Sequence, residues 1–405
     1  MRKPRVLGII MAGGQGERLF PLTKERSKPS VPFGGKYRIV DFVLNNFINS
    51  DIHSIYVLVQ YKSQSLIEHL RSAWSLGRFL LDHFITVVPP QMLHADIWYR
   101  GTADAVYQNL NLIEDFCPDL VAVFGADHIY RMDIRQMIRF HLDKEAEVTV
   151  AARPVPIGQA ASFGIIGINT DQRVVDFQEK PERPKPLPQD PSLAFSSMGN
   201  YIFNREVLAR TLKEDAHRST EHDFGRTILP QLLSKAQVFA YNFLQNEMPG
   251  CKEYEEKGYW RDVGSIETYW EAHMDLLGPR PWFDLNNLQW PLMTMEFAGP
   301  PAKITRGEVE DSILGEGCFI QGGKVSRSVL GRGVVVEEDS LIEDSIVMDF
   351  CQISKGARVR KTVIDRYNII EGQDQIGYEP ERDKERFFLD PSGIVVIPRG
   401  KTRQL

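Results

Sequence analysis

The chain has 405 residues, 42% of them apolar and 25% charged, enough to bury the cores of two domains and too apolar for a disordered chain. A formal net charge of −6 gives no overall attraction to nucleic acid or to an anionic membrane, so an anionic ligand needs a local cluster of cations. Four cysteines (Cys117, Cys251, Cys318, Cys351) lack CxxC spacing, and the N-terminal apolar run is too short and glycine-interrupted for a signal peptide or membrane span, so a reduced, cytoplasmic protein is expected.

In chain order, "RVLGIIM" reads as a buried strand, "DFVLNNFINS" as an amphipathic helix, "IYVLVQY" as a strand and "SLIEHLRSAW" as a helix. "DLVAVFGAD" is a further strand, "IRQMIRFHLDKEA" a helix and "EVTVAARPV" a strand. This alternation predicts βαβ units around a mostly parallel sheet, with ligands at the carboxyl ends of the strands. Both "MAGGQGE" and "FGADHIY" follow apolar strands and are expected to face one crevice. The proline-rich stretch Glu179 to Phe195 predicts an irregular surface loop, and the prolines and exposed-looking aromatics between Gly278 and Pro301 predict a domain linker.

Beyond the linker the pattern becomes a repeat. "DSILGEG" starts at Asp311, "RSVLGRG" at Arg327, "DSIVMDF" at Asp344 and "KTVIDRY" at Lys361, at intervals of 16, 17 and 17 residues. Short β-branched runs at near-constant period predict a parallel β-helix, with an antiparallel sandwich as the alternative. The open ends of such a solenoid call for a partner or a cap, so oligomerisation is expected.

The turn after the first strand is the first candidate site. A dinucleotide fingerprint fails because Leu19 stands where the third glycine belongs, and the Gly-Lys-Ser/Thr of a Walker A loop is missing. What remains is a glycine nest able to approach an anion closely, with Arg18 two residues beyond it and Lys28 held between prolines in "SKPS". Arg and Lys beside such a nest suit a polyphosphate.

The stretch "AGGQGERLFPLT" with the following "KP" resembles the signature of nucleotidyl-sugar pyrophosphorylases, and "PFGGKYRIVDF" narrows the resemblance to the ADP-glucose pyrophosphorylase (glucose-1-phosphate adenylyltransferase) family. "QYKSQSL", "WYRGTADAVYQN", "FGADHIYRMD", "FQEKP", "SSMGNYIF", "EHDFG" and "YWRDVGSIETYW" extend it over nearly the whole chain. The resemblance implies a Rossmann-like α/β nucleotidyltransferase domain over residues 1–280, a linker over 281–300, and a C-terminal left-handed parallel β-helix over 301–405 used for oligomerisation and regulation.

It also implies the reaction: the phosphate of glucose 1-phosphate attacks the α-phosphorus of ATP, releasing pyrophosphate, for glycogen or a related α-glucan. Arg18, Lys28 and Asp127 match catalytic positions, and Asp127 with Asp262 matches the pair that holds Mg²⁺, an ion suited to a few carboxylates plus phosphate oxygens. Ala12, Gly13, Gly14, Gly16, Gln91, Tyr99, Gly101 and Thr102 match the ATP side, with Ala103 beside them. Gly164, Glu179, Lys180, Ser197, Tyr201, Asp223, Phe224 and Trp260 match the glucose 1-phosphate side, where core packing is the alternative role for Phe224 and Trp260. His128 and His222 lie inside motifs and read as loop supports.

A homotetramer with sugar-phosphate activators and a nucleotide or phosphate inhibitor is implied as well. Enterobacterial members that respond to fructose bisphosphate carry a lysine where this chain has Glu25, which would repel a bisphosphate, and they have a longer N-terminal segment. A pyrophosphorylase using another nucleotide and a non-catalytic regulatory subunit are the competing readings.

Overall fold

The computed structural model describes residues 3–74, 82–91 and 98–401. The first strand, β1 (Val6–Ala12), is a continuous apolar run, as a strand covered on both faces must be. The short hairpin strands β2 (Pro32–Phe33) and β3 (Tyr37–Arg38) lead into α1 (Ile39–Asn49), where the Asp41 carboxylate accepts from Arg38 N at 2.8 Å. Strand β4 (Ser54–Val59), α2 (Gln64–Ala73) and β5 (Phe84–Val88) follow. Gly8 lets α1 sit on the sheet, since a Cβ there would lie 2.8 Å from the Phe47 ring.

Next come α3 (Thr102–Tyr107), α4 (Leu110–Phe116), β6 (Leu120–Gly125), β7 (His128–Tyr130) and α5 (Ile134–Asp143). Strands β8 (Val148–Pro156), β9 (Gly164–Ile168), β10 (Val174–Glu179) and β11 (Leu193–Asn204) succeed one another without an α-helix between them. Then come α6 (Arg205–Ala216), α7 (Leu229–Leu232), β12 (Val238–Asn242), β13 (Trp260–Asp262) and α8 (Ile266–Met274).

The main sheet has the order β10-β9-β11-β6-β1-β4-β5, with β8 joining β11 to β12. β6, β1, β4 and β5 run parallel, as the helix-strand alternation predicts. β11 runs antiparallel to β6, β8 and β9; β8 to β11 follow one another through loops with no crossover helix, which parallel neighbours would need. The proline-rich loop separates β10 from β11 as expected.

The stretch from Gly278 to Pro301 joins the two parts without helix or strand, and two of its aromatics are not exposed as the sequence suggests. It is a strap pinned to α1: Asn45 exchanges hydrogen bonds with Met293 N and O at 2.8 and 2.9 Å, and Asn49 donates to Pro291 O at 2.9 Å. Its aromatics divide: Phe283 and Trp290 are buried, the former against the Arg131 guanidinium, while Trp282 stands exposed. Proline and aromatic content alone cannot tell a loose linker from a strap whose rings fill a groove.

The C-terminal part is a parallel β-helix opening on β14 (Lys303–Thr305), β15 (Glu308–Glu310) and β16 (Ile313–Leu314), one strand for each of its three faces. The register steps by one coil, Ile313 to Val329 to Ile346 to Val363, matching the repeat read from the sequence. Inward residues stack as Ile320, Val336, Ile353 and Ile370 on one face and Val325, Ile342, Val359 and Ile376 on the next. Asp311, Arg327, Asp344 and Lys361 occupy one corner with φ between 42° and 47°, so charge alternates in sign from coil to coil. Helix α9 (Pro380–Arg386) follows the last coil, its Asp383 accepting from Gly377 N at 2.9 Å.

The two parts share a core. Phe33, Tyr37, Ile39 and Phe42 pack in one cluster with Ile346, Met348, Val363 and Val396. Arg26 bonds Asp365 with both side chains buried, and Lys36 meets Glu316 at 2.9 Å.

Candidate active site

Strands β1 and β6 are adjacent and parallel, so the loops after them, Gly13–Gly16 and Ala126–Asp127, emerge side by side. Asp262 reaches the same place because β13 pairs antiparallel with β7, setting Asp262 opposite His128. A three-strand-residue pairing thus joins two carboxylates that lie far apart in sequence.

Lys28 lies between them. Its side chain is buried, and Nζ donates to Asp127 Oδ2 at 3.0 Å and to Asp262 Oδ1 at 2.8 Å. Gly16, with φ of 68°, lets the glycine loop pass over this lysine, where a Cβ would stand 2.9 Å from Lys28 Cβ. Arg18, on the turn Glu17–Leu19, is largely exposed at the rim, its Nη2 4.0 Å from Asp262 Oδ2.

Desolvation opposes the charge on Lys28, yet the two carboxylates outweigh it and raise its pKa above the usual value. Desolvation likewise opposes ionisation of Asp127, but His128 and Lys28 together hold its carboxyl far below the ordinary range. Asp127, His128 and Asp262 each bring one donor atom within 4.8 Å of the others, a set able to hold a divalent cation. His128 also packs against Trp260 with ring centres 4.7 Å apart and the rings tilted by 39°.

Two cavities meet at this centre. The first, of about 380 Å³, is lined among others by Gly13, Gly14, Lys28, Leu58, Gln60, Tyr99, Gly101, Thr102, Asp127 and His128. The second, of about 240 Å³, is lined by Ser162, Phe163, Gly164, Phe177, Glu179, Ser197, Tyr201, Asp223, Phe224, Trp260 and Asp262, together with Thr102 and His128. Phe224 is both wall and core: it is buried and stacks on Tyr201 at 5.5 Å. Burial and then the Asp223 charge push the Tyr201 phenol well above its ordinary pKa, so it stays a neutral hydroxyl.

Most of the residues singled out from the sequence therefore face one of two joined cavities. Ala12 is buried at the end of β1, behind the glycine turn. Gln91 is exposed, with its amide on Pro89 O at 2.7 Å, and does not line the first cavity. Lys180, with φ of 45°, is exposed just past β10 and does not line the second. Ala103 is buried in the first turn of α3.

Gln60, Phe163, Phe177 and Gly199 were not singled out. Gln60 exchanges bonds with the backbone of Tyr99, accepting from N at 2.8 Å and donating to O at 3.4 Å. Its position at the carboxyl end of β4 was the available signal.

Residues 7–278 match the family model described as "Nucleotidyl transferase", and residues 300–397 match "GlmU-like, C-terminal hexapeptide". The curated relatives are more specific. A "Glucose-1-phosphate adenylyltransferase" of Thermodesulfovibrio yellowstonii is 52% identical over 98% of this chain and 96% of its own length. Proteins with the same description from Thermus thermophilus and Deinococcus radiodurans are 48% and 46% identical, over 99% and 98% of this chain and 99% of each relative. The chain belongs to the glucose-1-phosphate adenylyltransferase family of nucleotidyl transferases. Among the described residues no helix is long and apolar enough to cross a membrane.

Proposed function

We propose that this protein transfers the adenylyl group of ATP to glucose 1-phosphate, giving ADP-glucose and pyrophosphate for glycogen or a related α-glucan. The observation that carries this reading is the junction of two cavities at Lys28, Asp127 and Asp262. One cavity opens on a glycine nest suited to a triphosphate, and the other is lined by hydroxyls, carboxylates and aromatic faces suited to a hexose.

A phosphate oxygen of glucose 1-phosphate forms a bond to the α-phosphorus of ATP, and the bond to the bridging oxygen breaks with its electrons leaving on pyrophosphate. The sugar phosphate is already a nucleophile, so the protein's task is to align two anions and neutralise their charge. Gly13 and Gly14 bring backbone N–H groups to the triphosphate, with Ala12 and Gly16 shaping the turn, and Tyr99, Gly101 and Thr102 wall the nucleoside. Arg18 and Lys28 balance charge on the departing pyrophosphate. Gly164, Glu179, Ser197, Tyr201, Asp223, Phe224 and Trp260 surround the glucose; Gln91 and Lys180 keep their assignments to the nucleotide and the sugar phosphate by resemblance. Asp127 and Asp262 would hold Mg²⁺, which supplies charge neutralisation between the phosphates when bound.

The test is pyrophosphate release from the purified protein with Mg²⁺, glucose 1-phosphate and each of ATP, GTP, UTP and dTTP. Turnover selective for ATP is expected; preference for another nucleotide, or no turnover with any, contradicts the reading.

The same proposal extends to a cytoplasmic homotetramer with a catalytic domain (1–280), linker (281–300) and β-helix (301–405), responsive to sugar-phosphate activators and a nucleotide or phosphate inhibitor. The outer edges of β14, β15 and β16 support self-association, since this first coil has paired strands on one side only. Glu25 lies 3.6 Å from Arg399, so its carboxylate faces a cation that a bisphosphate would seek. A weak response to fructose 1,6-bisphosphate is expected, and strong saturable activation by it would contradict this.

A further inference from the structure

The wall between the two cavities is a knot of backbone and side chain in which the 220–224 loop grips the start of α3. Gly101 precedes α3, and no side chain caps that helix. Its first free donors, Ala103 N and Asp104 N, are taken by the carbonyl of His222 at 2.8 and 3.3 Å. The approach is so close that a Cβ on Gly101 would stand 2.3 Å from Glu221 O and 2.4 Å from His222 O.

One residue further on, the Thr102 hydroxyl donates to Asp223 Oδ2 at 2.9 Å and accepts from Phe224 N at 3.0 Å. Asp223 Oδ1 in turn accepts from Gly225 N and Arg226 N at 2.9 and 3.0 Å. Thr102 lines both cavities, whereas Gly101 lines the first and Asp223 and Phe224 the second.

What holds the gripping loop is a buried pair outside either cavity. His222 has φ of 49°, a left-handed conformation that is uncommon for a residue with a Cβ and that its surroundings here impose. The imposing group is Asp215, at the end of α6, whose Oδ2 accepts from His222 Nδ1 at 2.7 Å while both residues are buried. Asp215 Oδ1 accepts from Thr220 Oγ1 at 3.0 Å and Gln231 Nε2 at 3.2 Å, and Thr220 Oγ1 accepts from His222 N at 3.2 Å. Every link from α6 to α3 is thus a direct hydrogen bond.

We infer that Asp215 and His222 are positioning residues that couple the two substrate sites, so that filling one cavity orders the wall of the other and each substrate tightens the binding of its partner. This rests on the reading given under Proposed function. Neither residue touches a cavity; they act through the His222 carbonyl, Thr102 and Asp223. A ligand that orders the Gly101–Thr102 corner removes part of the ordering cost for a ligand against Asp223 and Phe224, and the converse follows by linkage.

The test is calorimetric titration of glucose 1-phosphate with and without a non-hydrolysable ATP analogue and Mg²⁺, on the wild type, His222→Ala, His222→Asn and Thr102→Val. In the wild type the analogue is expected to tighten glucose 1-phosphate at least about 5-fold, the lower end of ordinary coupling factors. His222→Ala should bring that factor close to 1 while each ligand alone binds within about threefold of wild type. His222→Asn should retain most of the coupling, since asparagine tolerates a left-handed φ and its amide can donate to Asp215. Thr102→Val cuts the bridge without touching the buried pair; because Thr102 lines both cavities, each ligand is also titrated alone, and loss of coupling beyond any loss of single-ligand affinity is expected, which keeps the inference testable if His222→Ala does not fold. A role in stability alone would lower the melting temperature and leave the coupling factor unchanged; that result, or a wild type with turnover but no coupling, overturns the inference. A wild type that neither binds nor turns over these substrates overturns the functional reading beneath it.

Discussion

Arg26 and Lys28 stand two residues apart and are both buried cations, yet they serve different regions of the molecule. Arg26 turns to the β-helix and pairs with Asp365, where both side chains are closed off from solvent at 4% and 2% exposed. Lys28 turns to the cleft, where its partners Asp127 and Asp262 remain 41% and 32% exposed. Ser27 between them is buried and Pro29 just after Lys28 stiffens the chain, so one short segment fixes both directions. The first pair is closed off from solvent and ties the first part of the chain to the β-helix. The second has an open side and can exchange partners with a ligand.

The largest effect that would break this comparison is at the closed pair. Arg26→Ala leaves the Asp365 carboxylate buried without its partner and should destabilise the fold by about 3–5 kcal/mol in urea unfolding, whereas replacing both with apolar residues of similar volume should cost much less. At the open pair the loss should fall on turnover. Lys28→Ala should lower kcat about 10²–10³-fold, about 2.7–4 kcal/mol of barrier, measured by pyrophosphate release. If Lys28→Ala unfolds the chain as readily as Arg26→Ala while the folded fraction keeps its turnover, the two pairs are not different in kind.

A third prediction concerns pH. His273 accepts from Gly34 N at Nε2 (3.1 Å) and donates from Nδ1 to Tyr269 O (2.8 Å), and burial pushes its pKa down to about 4. The unfolded chain takes up the proton near the ordinary value of about 6.5. Stability from the neutral ring is therefore complete above that value and is lost as pH falls from about 6.5 toward 4, by roughly 3 kcal/mol in all. Urea midpoints across this window should fall in the wild type and stay flatter in His273→Gln, which can still accept and donate. The smallest effect is expected at the exposed Lys355–Glu338 pair, 3.1 Å apart, where Lys355→Ala should leave the unfolding midpoint and turnover unchanged within error.

The repeat of the β-helix was readable because its information is periodic: the starts at Asp311, Arg327, Asp344 and Lys361 fall on a single corner, while period alone left an antiparallel sandwich open and named no inward residue. The glycine turn and Asp127 were readable because strand ends mark the ligand side of an α/β sheet. Asp262 depended on resemblance, since nothing in its local sequence foretells the pairing of β13 with β7. The antiparallel strands β9 to β11 escaped the alternation argument because no helix separates them. Gln60 and the His222–Asp215 pair escaped it because their roles are hydrogen bonds between segments far apart in the chain, which periodicity within one element cannot reveal. Gln91 and Lys180, taken from motif position, are exposed and line neither cavity.

The most direct measurement of the central claim, that two cavities serve one transfer at the Lys28–Asp127–Asp262 centre, is the joint formation of ADP-glucose and pyrophosphate from ATP and glucose 1-phosphate by wild type and Asp262→Asn at matched folded fraction. The account predicts equal amounts of the two products from the wild type and a loss of at least about 10²-fold in the variant, in the range for removing a group that stabilises transition-state charge. Equal turnover by the folded Asp262→Asn protein, or pyrophosphate released without ADP-glucose, would contradict it.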